Sequence, residues 1–309
     1  MKGGYCAVMA SLALAAPAGA EVIDVTWGKA APAREVGSLS GLAVGRFGGT
    51  DGAPLSAAVE RRLAEARDEK GGAYYSLYAL NSPGSARRID AVVEGNAVAA
   101  IEERRFQQVR RYCKGKSEPR TDCDDKDKED REVSCRRRVI SLTSDLRVAA
   151  EADGRILYRR AVPRREEVSW CPGQSAPVDT DRRVAGLIEA VAGDYAADLS
   201  PAWQRGGVRL IEDRKGLTTD QGERFKAALR ATKTDGAEAC RLFDALAAET
   251  PPQRSLAFNA ALCMEARGDL AGALAAFRAM GTDKDAGAAV TRIEGTLDAM
   301  AVEKTRRRG

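Results

Sequence analysis

Residues 257–280 read AFNAALCMEARGDLAGALAAFRAM. Phe258 and Asn259 lead an apolar run that continues to Arg267, Gly268-Asp269 makes a turn, and Leu270, Ala273, Leu274 and Phe277 then recur at helical spacing. The stretch therefore predicts two antiparallel helices, with small side chains at Ala260, Ala261 and Ala273 allowing close approach. The same pattern recurs upstream at a fixed offset. Asp235 lies 34 residues before Asp269, and Ala239, Phe243 and Leu246 stand in the same relation to Ala273, Phe277 and Met280. A fixed period of this length is the signature of stacked helical hairpins. A generic bundle of two-helix hairpins is the plainer alternative.

The segment resembles a tetratricopeptide repeat at Phe258, Asn259, Gly268, Asp269, Ala273 and Phe277. It departs from that pattern at Leu270, where an aromatic is usual, and in having no Pro after Met280. The resemblance covers residues 217–301 and implies about two repeats with a capping helix, near the minimum for a stable stack. Such repeats imply binding of another protein on their concave face.

Two cysteines fit this hairpin geometry. A helix ending near Glu249 and one starting near Gln253 are joined by Thr250-Pro251-Pro252, with Cys240 and Cys263 each 11 residues from the nearer proline. In an antiparallel pair they stand at the same height, which predicts a Cys240–Cys263 disulfide. Its short loop corresponds to roughly 3 kcal/mol in the loop-entropy model. With no histidine anywhere in the chain, neither thiol has an imidazole to activate it.

The start of the chain, MKGGYCAVMASLALAAPAGA, has one Lys, a short apolar run and Ala18-Gly19-Ala20. These are the parts of a secretory signal cleaved between Ala20 and Glu21, so the protein is expected in the periplasm or otherwise exported. The apolar run is too short to span a bilayer, and no later stretch is long and apolar enough, so no transmembrane segment is expected in the mature chain. Six cysteines remain after Cys6 leaves with the signal, an even number that suggests disulfides in an exported chain. Without histidine or a C-x-x-C pair, zinc is disfavoured. Charge is nearly balanced, 49 Lys+Arg against 45 Asp+Glu, which argues against a nucleic-acid surface. The basic tail, residues 302–309, suggests at most a peripheral contact with anionic lipid or glycan, and such ends are more often solvated.

The N-terminal part reads as a mixed α+β layer. GLAVGRF (41–47) is a short strand, and the helix from about Pro54 to Glu69 puts Leu55, Ala58, Val59 and Leu63 on one face. AYYSLYAL and IDAVVEGNAVAAI are further strands, the latter continuing through RRFQQVRRYC. Residues 114–134 form a charged insertion without periodicity. Its aspartates lack the Gly and closing Glu of a calcium loop. VISLTSDLRVAAEADGRILYRRAV is a β-hairpin turning at Asp153-Gly154, and its second strand runs to about Trp170. A helix follows from about Thr180 to Leu199-Ser200-Pro201, with Val184, Leu187, Ile188, Val191 and Tyr195 on one face. The fold class expected is α+β, a small mixed sheet with two packed helices, followed by an all-α helical-hairpin domain. The domain layout expected is a 21–39 extension, an α/β domain over 40–202, a 203–216 linker and repeats over 217–301. Cys113, Cys123, Cys135 and Cys171 permit three pairings; Cys135 with Cys171 and Cys113 with Cys135 are both conceivable.

Three short phrases carry a second resemblance: residues 42–47 (LAVGRF), 90–95 (DAVVEG) and 146–158 (LRVAAEADGRILY). In this order they resemble the curli-secretion (CsgG-like) family, the penicillin-binding-protein-activator lipoproteins and the TolB N-terminal-like domains. The resemblance spans residues 40–202 and implies a small α/β binding module of cell-envelope assembly. Two departures matter. No lipobox surrounds Cys6, and the 114–134 insertion is too charged for a membrane-spanning strand pair.

The sequence shows no catalytic motif. The lack of histidine excludes Ser-His-Asp and Cys-His arrangements, and the Gly-rich GRFGGTDG lacks the lysine of a phosphate loop. Trp27, Trp170 and Trp203 read as core or interface. The expectation is a non-enzymatic exported protein of the bacterial cell envelope, free of cofactor and metal, that binds envelope proteins through its helical repeats. A periplasmic glycan hydrolase working through paired carboxylates, or a self-associating structural protein, are the alternatives.

Overall fold

The computed structural model describes residues 21–80, 89–115, 122–176 and 179–308. The expected signal segment and its cleavage residue Ala20 lie outside these. The described chain divides into two compact units, one of residues 21–27 and 204–294, the other of residues 28–203 and 295–308. Together they form the expected mixed α+β chain.

The larger unit is built on a six-stranded sheet. Its strands are β2 (Gly41–Val44), β3 (Ser76–Leu77), β4 (Ala91–Cys113), β5 (Lys128–Ala150), β6 (Ile156–Ala161) and β7 (Arg164–Trp170), in the order β3-β2-β4-β5-β6 with β7 also on β5. β2 runs parallel to β3 and β4, and the β4–β5, β5–β6 and β5–β7 pairs are antiparallel. Near the root of β4 and β5 the side chains alternate as period-two geometry requires. Ala91, Val93 and Ala97 of β4 and Leu142, Leu146 and Val148 of β5 are buried. They face α2 (Gly52–Glu65), through Leu55, Ala58, Val59 and Leu63, and α3 (Thr180–Leu199), through Ile188, Val191, Ala192 and Tyr195. Pro163 separates β6 from β7, so the single strand expected to reach Trp170 is two strands, because proline cannot donate to the ladder.

β4 and β5 pair without interruption from Ala91↔Ala150 to Cys113↔Lys128. This corrects the 114–134 insertion, since residues 128–134 are strand. Past the helices the ribbon buries only Tyr112, Cys113 and Cys135 among its described residues, so no side of it had to be continuously apolar and no apolar alternation marks it in the sequence. The result is a long arm, β4 and β5 with β7 alongside residues 136–142.

The basic tail is corrected too. Helix α8 (Lys284–Arg306) extends to Arg306, whose guanidinium lies over the Tyr74 ring at 4.4 Å and donates to the Tyr74 carbonyl at 2.8 Å. Tyr74 is buried and donates to the Gly37 carbonyl at 2.6 Å. Burial pushes its phenol up to about 12, opposed by the Arg306 charge. The folded state thus favours the neutral phenol. This contribution is complete below the ordinary value near 10 and is lost as pH rises through about 12. Urea midpoints are expected to fall across that window, and less steeply in Tyr74→Phe; equal slopes would refute the assignment.

The smaller unit holds five helices: α4 (Thr219–Ala231), α5 (Gly236–Glu249), α6 (Arg254–Ala266), α7 (Leu270–Ala279) and the first part of α8. α4–α5 and α6–α7 are hairpins. Thr218 and Gln221 form a reciprocal capping box on α4, and Asp235, Gln253 and Asp269 cap α5, α6 and α7.

The 21–39 extension and the 203–216 linker are corrected by the structure. β1 (Val22–Lys29) pairs with β8 (Ala202–Arg209) in a two-stranded sheet. Ile23, Val25 and Leu210 are buried in one core with Phe225, Phe243, Phe258 and Phe277. Within the 21–39 segment, α1 (Arg34–Gly37) also buries Val36 in the larger unit's core. The strands alternate, but each is short and buries one face only. Each has its partner at the far end of the intervening unit, so neither reads as a strand in isolation.

Candidate binding surface

The sheet face turned away from α2 and α3 carries no covering layer among the described residues. On β5, the arginines with that orientation are Arg131, Arg137 and Arg147. Each stands directly opposite another arginine, namely Arg110 and Arg104 on β4 and Arg159 on β6. Like charges placed directly across a sheet are destabilising. Partial relief comes from carboxylates on the same face: Glu94 with Arg147 at 2.8 Å, Glu102 with Arg104 at 2.8 Å and Glu167 with Arg137 at 3.0 Å. Arg137 also lies over the Phe106 ring at 4.9 Å, and Arg131 over Tyr112 at 5.7 Å.

At the root of this face is a cleft of about 340 Å³ lined by Arg46, Glu94, Asp145, Arg147, Ile156 and Arg159. Neither Arg46 nor Arg159 has an ion-pair partner among the described residues. From Arg147 to Arg131 the stripe runs roughly 50 Å at about 3.3 Å per residue. Guanidinium forks in such a row grip carboxylate, sulfate or phosphate oxygens in pairs. The sequence contains the signal for this, Arg-Arg at 104–105, 110–111 and 136–137, but the charged segment offered no way to tell which arginines share a face.

Two disulfides brace the arm. Cys113–Cys123 closes its tip, and Cys135–Cys171 ties β5 to the end of β7. Gln108 Oε1 lies 3.3 Å from the Cys171 sulfur and 3.6 Å from that of Cys135.

In the helical unit a third disulfide joins Cys240 of α5 to Cys263 of α6. Phe258 and Phe277 meet edge to face with ring centroids 5.3 Å apart, and Ala273 is fully buried between helices. Gly268 takes the left-handed conformation at φ +83° that the turn requires, and the Asp269 carboxylate accepts from Gly272 N at 2.9 Å. Glu21 is anchored, its carbonyl accepting from Leu210 N and its carboxylate 3.1 Å from Lys233.

Asn259 is fully buried and binds main chain. Its Nδ2 donates to the Ile211 carbonyl and its Oδ1 accepts from Ile211 N, both at 3.0 Å. Val208–Glu212 therefore lie along the face that carries Asn259, beside Phe258, Asp285 and Arg292. The face that carries Asn259 is thus occupied by an extended segment of the same chain.

Among the described residues no group of three or more Cys, Asp or Glu could hold a metal ion, and no helix is long and apolar enough to cross a membrane.

No family model matches the sequence, and neither does any curated protein. Solved structures similar to it include a point variant of the PelC dodecamer of Paraburkholderia phytofirmans. That likeness has 10% identity and a TM-score of 0.28, covering 57% of this chain and 98% of that one. A neuraminyllactose-binding hemagglutinin homologue from Helicobacter pylori is similar at 12% identity and a TM-score of 0.32, over 53% of this chain and 86% of that one.

Proposed function

We propose that this chain is a non-enzymatic binding module of an oxidising, exported compartment, and that the β4–β5–β7 arm with its arginine face recognises an acidic protein of the cell envelope. The arm is the observation that carries this reading. A two-stranded ribbon that buries little is marginal by itself, yet this one is extended over 23 residues a strand and pinned by two disulfides. Disulfides are the usage of an oxidising compartment. Nothing in the packing of the larger unit's core requires residues 104–134, so the extension is best understood as a recognition element.

The test is a crosslinking pull-down from envelope extract. The full mature chain is compared with a form in which Gln108 and Val133, which face each other across the ladder, are joined by an Asn-Gly turn. A specific partner held by the full chain and lost by the shortened one is the expected result. An identical set of partners from both would overturn the reading.

A further inference from the structure

The cleft at the root of the sheet's outer face is shaped by an irregularity in a strand ladder. Tyr158 and Ile156 of β6 oppose the consecutive residues Val148 and Ala149 of β5, so Leu157 is an extra residue, a β-bulge. Leu157 and Tyr158 both pack against the core. Strict alternation would set Ile156 and Arg159, three residues apart, on opposite faces. The bulge brings both into the cleft, with Ile156 47% exposed.

The ladder fixes their neighbours. Glu94, Arg147 and Arg159 stand in one row across β4, β5 and β6, and Asn96, Asp145 and Ala161 stand in the next. Arg147 is already engaged, its Nε and Nη2 donating to Glu94 Oε2 at 3.0 and 2.8 Å. Arg46, Arg159 and the half-buried Asp145 have neither a hydrogen-bond nor an ion-pair partner among the described residues. Arg159 and Asp145 are diagonal neighbours, about 7–8 Å apart along the sheet. Ala161, opposite Asp145, carries only a methyl, and Gly95 lines the cleft with main chain alone.

The unsatisfied set is therefore two guanidiniums, one carboxylate and an isoleucine around about 340 Å³. Arginines directly opposed across a sheet are destabilising, and the Arg147–Arg159 pair has only Glu94 to offset it. Such a set complements a carboxylate with a donor beside it and an apolar group beyond. Sulfate or phosphate would satisfy the arginines but set its own charge against Asp145 and Glu94.

We infer that this cleft binds a small carboxylic acid with an amino or hydroxyl group on the adjacent carbon and an apolar side chain. The carboxylate takes the Arg46 and Arg159 guanidiniums, whose forks grip paired oxygens. The amino or hydroxyl group donates to Asp145, and the side chain lies on Ile156. Every cleft residue lies outside 104–134, so the inference goes beyond the reading of the arm and does not rest on it.

Isothermal titration of the purified mature chain with leucine, 2-hydroxyisocaproate, isocaproate and sodium sulfate tests this. Leucine or 2-hydroxyisocaproate is expected to bind saturably, and the tighter of the two identifies the donor as ammonium or hydroxyl. Isocaproate, which lacks the donor, and sulfate should bind at least about tenfold more weakly. Arg46→Gln and Arg159→Gln should each weaken the preferred acid about tenfold or more. Neither should lower the urea midpoint, because both side chains are exposed and unpartnered in the fold. Asp145→Ala should remove the preference over isocaproate. No saturable binding of either acid, sulfate bound as tightly as the acid, or binding unchanged in both arginine variants overturns the inference. The pull-down on the arm depends on other residues, so either result leaves the other standing.

Discussion

Replacing Arg292 by Ala is expected to cost the helical unit about 3–5 kcal/mol, the loss typical of breaking a buried ion pair from one side. Arg292 of α8 meets Glu265 of α6 in a two-pronged contact, Nε to Oε1 at 2.7 Å and Nη2 to Oε2 at 2.6 Å. The Glu265 side chain is only 1% exposed. Truncating the arginine leaves that carboxylate out of water with no cation. Arg292→Met with Glu265→Leu removes both charges and keeps the volume, so the double variant should regain most of the loss. Urea unfolding followed by circular dichroism reads both. A single-variant loss below about 1 kcal/mol would show that the pair is already solvated.

Asn259→Ala is the second large effect, about 2–3 kcal/mol. The amide satisfies both main-chain groups of Ile211 at once, and alanine would leave each without a partner at a part-buried position. Asn259→Asp separates the two bonds, since a carboxylate still accepts from Ile211 N but cannot donate to its carbonyl; it should fall between the parent and the alanine variant. Amide exchange over residues 208–212 is the sharper readout. It should accelerate strongly in Asn259→Ala, and unchanged protection there would mean that apolar contacts of Leu210 hold the segment without the amide.

The helical unit was legible because its helices each bury a stripe. Phe243 and Phe277 are core residues at the 34-residue offset that marks the repeat, and the turn residues Gly268 and Asp269 have few alternative uses. The sheet root was legible for the same reason, with Ile140, Leu142, Leu146 and Val148 separated by Ser141, Thr143, Asp145 and Arg147. Reading failed wherever the physical signal is shared between distant segments or never arises. Ile23 and Val25 make sense only beside Leu210 and the helices. The outer half of β5 buries only Cys135, so most of its strand character lies in main-chain pairing that side chains do not record. Arg306 reads as one more tail cation until Tyr74 is placed beneath it. The arginine stripe was invisible for a related reason, because membership of one face depends on a register that its own residues do not specify.

The pairing of β1 with β8 has a consequence for the order of events in folding. β1 is near the start of the chain, and its partner strand emerges only after all the intervening residues of the larger unit. Closing so long a loop carries an entropic penalty that is smaller once the intervening chain is compact. The larger unit, whose contacts are predominantly between neighbouring strands and hairpins, can collapse first and bring the ends of its own segment into reach. Until then Ile23 and Val25 wait as an unpaired apolar strand, the kind of element on which holding chaperones and misassembly both act. The core of the helical unit is therefore completed by a strand made long before its helices.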